Sequence, residues 1–573
     1  MKHQKILALS VLKSTFIVVF CAFFVLTSCK NDDDNSPNGT EGLTLEEIAE
    51  AMGGIETINN VKTMSFSVKG NSYEYEQDIP TLPSPLTSNY YVYDFYTELN
   101  ARKMRMDYDS IHFNHPAYYD TKGPLFIVND RTGSVSRDFI WKSYYLGVTD
   151  PHGIFSTEIE ANIKNQKMAN PIELIREIAS TRKLSDASSD NSFSIPTRVD
   201  GLDIRVEFDP KTALPIRAVT READFLKGDV SFEVVYENWI EIAGTKFPTK
   251  IEYILDNEVF KSETLSNIEL NPQLSADTFT PEAVPADYQI AWDEEQADFG
   301  IYHSQFYHRW NAWNIGYPEP VNNGAIDLGA FDLSQFGLAS QYIGENVKII
   351  GRPDNRLWIA AINTPEGVII VDSPLNQKWT RSLINATKNA YPGKDIIAVI
   401  STHAHHDHFA GIREAAQEAG KVYIAEESVP FLNQVLTGTH EIYPDNLAKN
   451  PRNVEVETVN DITYLADGAI EIHRLKPTGS SATPHAADML VVYVPEYELI
   501  IQSDQLWNGD FMKVWHGYTY RSFTPQARVE IINNARYLLD YIEEKELKVS
   551  KIMAAHGGLS GIEELEVPAN AVQ

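Results

Sequence analysis

A histidine-rich turn directly after an apolar segment constrains the fold more than any other feature of this sequence. The apolar run Ile396–Ile400 leads into residues 401–411, which read Ser-Thr-His-Ala-His-His-Asp-His-Phe-Ala-Gly. Four of the 15 histidines in the 573-residue chain fall within six of these positions. A buried strand that ends in such a turn places its side chains at the carboxyl edge of a sheet, where α/β proteins build their sites. Imidazole and carboxylate are ligands that divalent ions such as zinc prefer, so the turn predicts a metal site.

Three later residues of the same chemical type stand beside other apolar segments. His485 precedes the run 489–494, Asp504 follows the run 499–501, and His556 follows the run 552–555. A surface tract that binds metal adventitiously predicts no such residues, so the pattern favours a built site. The sequence between them predicts further strands and helices. One helix is predicted over Pro525–Glu544, with Thr524 as its N-cap and one apolar face. That face is formed by Val529, Ile532, Ala535, Leu539 and Ile542.

On these motifs the sequence resembles the metallo-β-lactamase superfamily, whose αββα sandwich carries the motif His-x-His-x-Asp-His and three later ligands. The resemblance covers residues 346–565. It implies two metal ions and the following ligands: His403, His405 and His485 for the first ion, Asp407, His408 and His556 for the second, and Asp504 as the bridge. Asp372, which ends the apolar segment 367–371, matches a structural aspartate that supports the histidine loop from outside the ligand set.

The third ligand of the first ion departs from the family pattern. Many relatives have Gly-His-Thr-x-Gly around this histidine, whereas residues 483–488 here read Thr-Pro-His-Ala-Ala-Asp. His473 and His440 are the alternatives to His485, and we expect both to be structural or solvated. His406 is interpreted as a spacer that points away from the metals.

The resemblance implies hydrolysis of a small molecule. The ligand types favour two zinc ions, with iron or manganese as alternatives. These ions would lower the pKa of water from 15.7 to about 7 and so supply metal-bound hydroxide. Asp407 would act both as a ligand and as the catalytic group that passes a proton. Ester, lactone, amide and sulfate substrates all remain open, because a fold does not choose among them. The alternative hypothesis is a surface-anchored binding lipoprotein with a non-catalytic metal site.

The first residues of the chain predict export. Lys2 and Lys5 precede an apolar run over residues 16–26, which at eleven residues is too short to span a bilayer. Residues 1–28 therefore indicate a lipoprotein signal peptide, and Cys29 is the predicted lipidation site that attaches the chain to a membrane. Residues 29–42 are a polar tether similar to lipoprotein export signals. The resemblance implies an outer-membrane lipoprotein that faces the periplasm or the cell surface.

Composition and patterning divide the rest of the chain. The two cysteines, Cys21 and Cys29, lie within the first 30 residues, so the folded part has neither a disulfide nor a thiolate ligand. The formal charge of −32 disfavours nucleic acid as a partner. Residues 43–285 predict an antiparallel β-rich domain, loosely similar to lipoprotein carriers with an apolar concave face, and are assigned no chemistry. Residues 286–345 form an aromatic-rich connector, whose His303 and His308 are interpreted as packing or surface residues rather than ligands. Residues 346–573 form the predicted hydrolase domain, and the oligomeric state stays open.

Overall fold

The computed structural model describes residues 42–74, 86–113, 124–136, 151–286, 289–305, 339–351, 358–478, 482–508 and 525–571. From Gly42 onward the described residues belong to one compact unit. The predicted signal peptide, Cys29 and the tether before Gly42 lie outside them, as do His308 and most of the aromatic connector. Among the helices of the described ranges, none is both long and apolar enough to cross a bilayer.

The N-terminal region begins with a capped helix and continues as strands. The Thr44 hydroxyl accepts the Glu47 N–H while the Glu47 carboxylate accepts the Thr44 N–H, so these two residues form a capping box. The elements of this region are α1 (Leu45–Ala51), α2 (Ile55–Asn60), β1 (Thr63–Glu74), β2 (Leu86–Glu98), β3 (Lys103–Phe113), β4 (Leu125–Asn129), β5 (Thr132–Ser136), β6 (His152–Gly153), α3 (Ser156–Ala169), α4 (Pro171–Thr181), β7 (Ser192–Pro196), β8 (Asp203–Phe208), β9 (Pro215–Asp224), β10 (Gly228–Ile242), β11 (Thr245–Leu255) and β12 (Glu258–Leu270).

These strands form one antiparallel sheet of twelve strands in the described residues. The order is β6-β5-β4-β3-β2-β1-β12-β11-β10-β9-β8-β7, so the two ends of the segment meet at its centre. Buried and half-buried positions alternate along β10, which is the period expected when one face of a sheet is dry. Helices α1 to α4 contribute to the core on that face. The predicted antiparallel β-rich region is therefore confirmed.

Helix α5 (Glu294–Tyr302) lies in a described part of the connector, and it packs on α3. His303 follows it and is 1% exposed, with its ring stacked on Phe299 and Phe225 at centroid distances of 4.0 and 4.9 Å. Its Nδ1 lies 3.0 Å from the Phe299 carbonyl oxygen. The interpretation of His303 as a packing residue is thus borne out by its position. Burial lowers the pKa of this imidazole to about 3.

His303 should make the folded protein sensitive to acid. Because its pKa is lower in the folded state than the ordinary value near 6.5, the unfolded chain takes up the proton first, and stability is lost as the pH falls from about 6.5 toward about 3. We expect His303→Phe, which keeps a stacked ring, to reduce the loss of unfolding free energy between pH 7 and pH 4.5 by about 2–3 kcal/mol. Urea unfolding of both proteins at each pH measures this, and parallel pH profiles would contradict it.

The C-terminal region holds the remaining elements. They are β13 (Ala339–Ile343), β14 (Val347–Gly351), β15 (Trp358–Asn363), β16 (Val368–Val371), α6 (Gln377–Ala390), β17 (Ile396–Ile400), α7 (His406–Phe409), α8 (Ile412–Ala419), β18 (Lys421–Ala425), α9 (Val429–Thr437), α10 (Asn446–Lys449), β19 (Glu455–Val459), β20 (Ile462–Leu465), β21 (Ile470–Arg474), β22 (Leu490–Val494), β23 (Leu499–Gln502), α11 (Pro525–Glu544), β24 (Lys551–Ala554), β25 (Gly558–Gly561) and α12 (Glu563–Ala569).

Two sheets pack face to face between two helical layers. Strands β13 to β19 form one sheet in sequence order, antiparallel up to β16 and parallel beyond it, and β20 to β25 form the other. One apolar core lies between the sheets, a second lies under α6, α8 and α9, and a third lies under α11 and α12. This is an αββα sandwich, as the sequence predicts.

Helix α11 has the predicted bounds but not the predicted apolar face throughout. Ile532, Ala535 and Ile542 are buried, whereas Val529 is 42% exposed. Leu538 is fully buried in the core, whereas Leu539, which the pattern placed on the apolar face, is only partly buried. The predicted N-cap, Thr524, lies outside the described residues.

Candidate metal centre

The histidine loop leaves the carboxyl end of β17 and is held from below by Asp372. The Asp372 carboxylate accepts the backbone N–H of Thr402 at 2.9 Å and its hydroxyl at 3.0 Å. Its Oδ2 also lies 3.5 Å from Nδ1 of His408. Asp372 therefore orients the loop and one of its imidazoles from outside the ligand set, which is the position the sequence predicts for it.

Three imidazoles form the first group of donors. The ring centroids of His403 and His405 are 4.4 Å apart, and that of His485 is 5.5 Å from His403. Nε2 of His485 lies 3.2 Å from Nδ1 of His405 and 3.6 Å from Oδ2 of Asp504. One donor atom from each of these four residues falls within 4.8 Å of every other. The structure therefore brings His485, despite its unusual flanking sequence, to the histidine loop.

A second group of donors lies on the other side of Asp504. Nε2 of His408 is 3.1 Å and Nε2 of His556 is 3.2 Å from Oδ1 of Asp504. Oδ2 of Asp407 lies 3.3 Å from each of these two nitrogens. The two oxygens of Asp504 thus face different groups, Oδ1 toward this one and Oδ2 toward His485. This is the geometry expected of a carboxylate shared by two ions.

The charges of the two groups differ. Burial and the neighbouring imidazoles lower the pKa of His403 well below its usual range and that of His405 to about 3, so both rings are neutral at pH 7. Burial opposes a proton on His408 as well, but the carboxylates of Asp504 and Asp407 raise its pKa well above the usual value. His408 in turn lowers the pKa of both carboxyl groups against the effect of burial. The first group therefore offers neutral imidazole nitrogens from His403 and His405, and the second offers ionised carboxylate oxygens from Asp407 and Asp504.

Polar neighbours fix the orientation of the first group. The Ser503 hydroxyl lies 3.0 Å from Nδ1 of His403, so Nε2 of that ring faces the centre. Gln505 accepts the His485 N–H at 2.8 Å and donates to the Asn534 carbonyl oxygen at 2.7 Å. These two residues were missed in the sequence. Their only signal is that they flank Asp504 directly.

Asp488 joins the loop of the third ligand to the histidine turn. It is 2% exposed, and its Oδ2 accepts the N–H of Ala404 at 2.9 Å and the hydroxyl of Ser428 at 2.5 Å. Ala404 lies between the two ligands His403 and His405. Asp488 therefore links the backbone of the histidine turn to the loop that precedes the strand beginning at Leu490.

The alternative histidines lie elsewhere in the structure. His473 is 1% exposed and lies 3.1 Å from the Tyr541 hydroxyl and 2.9 Å from Glu471 Oε2. His440 is also buried, with Asp445 as its nearest carboxylate at 3.9 Å. Within the described residues, neither belongs to a group able to hold a metal, and His406 does not either. His473 and His440 are thus buried structural residues, and His406 lies outside both donor groups.

The donor set fits a divalent metal. Nε2 of His403 is fully buried and has no hydrogen-bond partner among the described residues, which is costly for a ring nitrogen unless a ligand takes that place. Imidazole nitrogens and carboxylate oxygens without thiolates match zinc and its neighbours in the first transition row. His403, His405, Asp407, His408, His485, Asp504 and His556 therefore form a group of side chains able to hold metal.

Removing the Ser503 hydroxyl should weaken the first metal position. In Ser503→Ala the His403 ring loses the nearer of two hydroxyls at its Nδ1, the other being that of Thr402 at 3.2 Å, and we expect the affinity for zinc there to fall several-fold, up to about tenfold. Competition with a chromogenic chelator measures this. Ser382→Ala is the matched control, because it removes an equally buried hydroxyl from helix α6. Equal zinc affinities in the two variants would contradict the role given to Ser503.

The C-terminal region of this chain is similar to proteins of the metallo-beta-lactamase superfamily. Residues 357–531 match the sequence profile of the family described as "Metallo-beta-lactamase superfamily". The chain is 25% identical over 148 residues to "Metallo-beta-lactamase type 2" of Bacillus cereus, which is 26% of this chain and 49% of that protein. For the protein of the same name from Bacillus sp. (strain 170), identity is 27% over 149 residues, again 26% of this chain and 49% of the relative. The chain thus spans about half the length of the curated relatives it matches.

Solved structures of metallo-beta-lactamases are also similar to part of this chain. DIM-1 metallo-beta-lactamase covers 40% of this chain and 94% of its own length at 17% identity, with a TM-score of 0.29. FIM-1 from Pseudomonas aeruginosa, in its mono-zinc form, covers 40% of this chain and 93% of its own length at 17% identity, with a TM-score of 0.30.

Proposed function

We propose that this protein is a metal-dependent hydrolase with a dinuclear zinc centre that cleaves an ester, lactone, amide or sulfate bond in a small molecule. The observation that carries the proposal is the shared carboxylate: Asp504 presents one oxygen to each of two complete donor groups. A single closed structural site would need only four ligands. The curated relatives are named as β-lactamases, which makes a cyclic amide the first substrate to test.

The residues divide the chemical work. His403, His405 and His485 would hold one ion, Asp407, His408 and His556 the other, and Asp504 both. When bound, such ions supply Lewis acidity and lower the pKa of water to about 7. Asp372, Ser503 and Gln505 hold the ligands in place, and the Asp407 carboxylate, 21% exposed, is the group of the site placed to accept and pass a proton.

Metal analysis and substrate screening test the proposal together. We expect about two zinc equivalents per purified chain, loss of hydrolysis on chelation and recovery on adding zinc. The panel consists of a chromogenic β-lactam, an aryl ester, a homoserine-type lactone and an alkyl sulfate. Zero or one equivalent would refute the dinuclear centre, and two equivalents without hydrolysis of any substrate would favour a binding protein with a non-catalytic site.

We also propose that the chain is anchored by lipid on Cys29. The apolar segment before this residue and the polar tether after it support the proposal. In a bacterial host that processes lipoproteins, we expect the wild-type chain in the membrane fraction and Cys29→Ser in the soluble fraction. Equal distribution of the two proteins would contradict lipidation at this residue.

A further inference from the structure

The turn between β9 and β10, residues 225–227, leaves the N-terminal sheet and enters the helical layer of the metal-binding domain. Leu226 is 3% exposed and belongs to the buried cluster under α6 and α8, together with Leu375. Asp224 closes the turn, because its Oδ1 accepts the N–H groups of Leu226 and Lys227 at 2.9 and 2.8 Å. The C-terminal core is therefore completed by a side chain from the other sheet.

Close backbone contact fixes this turn beside helix α9. The Asp229 N–H donates to the Thr439 carbonyl oxygen at 2.7 Å, and the Asp229 carboxylate accepts the N–H groups of Glu441 and Ile442 at 2.7 and 3.1 Å. Gly228 has a φ of +84°, and a Cβ there would lie 2.1 Å from the Thr439 oxygen. Only glycine permits this approach, so the contact has a defined geometry.

A short series of contacts leads from the turn to the second metal position. The Gln377 side-chain amide, at the first residue of α6, donates to the Phe225 carbonyl oxygen at 3.1 Å. The loop just before it, residues 372–376, contacts the histidine turn twice through Ser373. The Ser373 N–H donates to the His408 carbonyl oxygen at 3.0 Å, and the Gly411 N–H donates to the Ser373 carbonyl oxygen at 2.8 Å.

The loop 372–376 has a backbone that needs support. Asp372 and Leu375 have φ values of 69° and 64°, which place two residues other than glycine in the left-handed region. Such strain persists only where the surrounding structure holds it. Leu375 is 6% exposed and belongs to the same buried cluster as Leu226, and the residue after the loop, Gln377, donates to the Phe225 carbonyl oxygen of the N-terminal turn.

From these contacts we propose that Leu226 is a positioning residue for the second metal position, so that the N-terminal sheet is a working part of the metal centre. The inference rests on the proposed dinuclear centre and adds a component to it. Leu226 acts through the loop 372–376, which holds His408 at its carbonyl oxygen and, through Asp372, at its ring. The loop reaches the first metal position less directly, through Asp372 and the Thr402 hydroxyl, which lies 3.2 Å from Nδ1 of His403. Ser503 and Gln505 also hold that position.

Zinc titration of the full chain tests the proposal. Affinities for the first and second zinc ions are measured by chelator competition in the wild type, Leu226→Ala and Leu226→Met. We expect Leu226→Ala to raise the Kd of the second ion about tenfold while that of the first changes little, and Leu226→Met to restore the wild-type value. Val206→Ala is the matched control, because it removes an equally buried apolar group from the N-terminal core. Its zinc affinities should equal those of the wild type.

A second variant covers the case in which Leu226→Ala does not fold. Gln377→Met keeps the helix and its packing but removes the donor to Phe225, and we expect about a threefold weaker second ion. If the melting temperature of either variant falls while both zinc affinities stay unchanged, Leu226 is a structural contact and the proposal is wrong. A wild-type chain that binds fewer than two zinc ions contradicts the proposed centre instead, so the two failures are distinguishable.

Discussion

Replacing Asp504 with alanine is expected to remove both metal ions and to abolish hydrolysis. Its two oxygens lie 3.1 Å from His408 and 3.6 Å from His485, so each donor group loses its shared member at once. The proposed ions would lower the pKa of a water molecule and stabilise developing charge. Their loss should therefore lower the rate by about three orders of magnitude or more. Metal content by atomic emission and turnover of the best substrate of the panel measure the effect.

Asp540→Asn is the control for Asp504→Ala. Asp540 is an exposed aspartate of helix α11 that belongs to neither donor group, and its replacement should change neither metal content nor rate. Circular dichroism of Asp504→Ala checks that the fold is kept. Retention of two metal equivalents in that variant would show that Asp504 does not bridge them.

Deleting the N-terminal sheet is expected to prevent the metal-binding domain from folding. A chain that begins at residue 286 loses Leu226 from the core under α6, and removal of one buried leucine side chain costs about 2–5 kcal/mol. It also loses the Glu222 carboxylate, which accepts the Gln305 N–H at 2.7 Å. The buried leucine alone represents a large part of the total stability of a typical domain, about 5–15 kcal/mol.

Calorimetry of the truncated chain measures the outcome. We expect no cooperative transition from the fragment that begins at residue 286. A chain that begins at residue 42 is the control, and it should melt like the full protein because it keeps the whole compact unit. A soluble fragment from residue 286 with a sharp transition and two bound zinc ions would show that the sheet is dispensable. Truncation at this boundary is therefore a test of folding before it is a test of substrate choice.

The family resemblance carried by the histidine motif was sufficient for the fold of the C-terminal region, and the candidate donor residues could be located in the sequence for a local reason. His403, Asp504 and His556 each follow a buried strand closely, and strand ends can be read from apolar runs within a few residues. The alternation of β10 and the capping box at Thr44 are likewise local patterns. Such features need no knowledge of how distant segments meet.

Other parts of the site depend on contacts that a pattern does not contain. Leu226 lies in a turn, and nothing in its neighbourhood indicates that it is buried in another layer more than 100 residues away in sequence. Ser503 and Gln505 look like ordinary polar residues until the position of His403 and His485 is known. Val529 fits the period of helix α11 but is 42% exposed, which the period alone does not reveal.

Each donor group draws on both halves of the sandwich. His403, His405, Asp407 and His408 follow a strand of the first sheet, whereas His485, Asp504 and His556 belong to loops of the second. Bound ions would therefore cross-link the two sheets, and removal of the ions would break this link. Zinc availability in the surroundings would then govern how long a molecule survives proteases and heat, in addition to whether it turns over substrate.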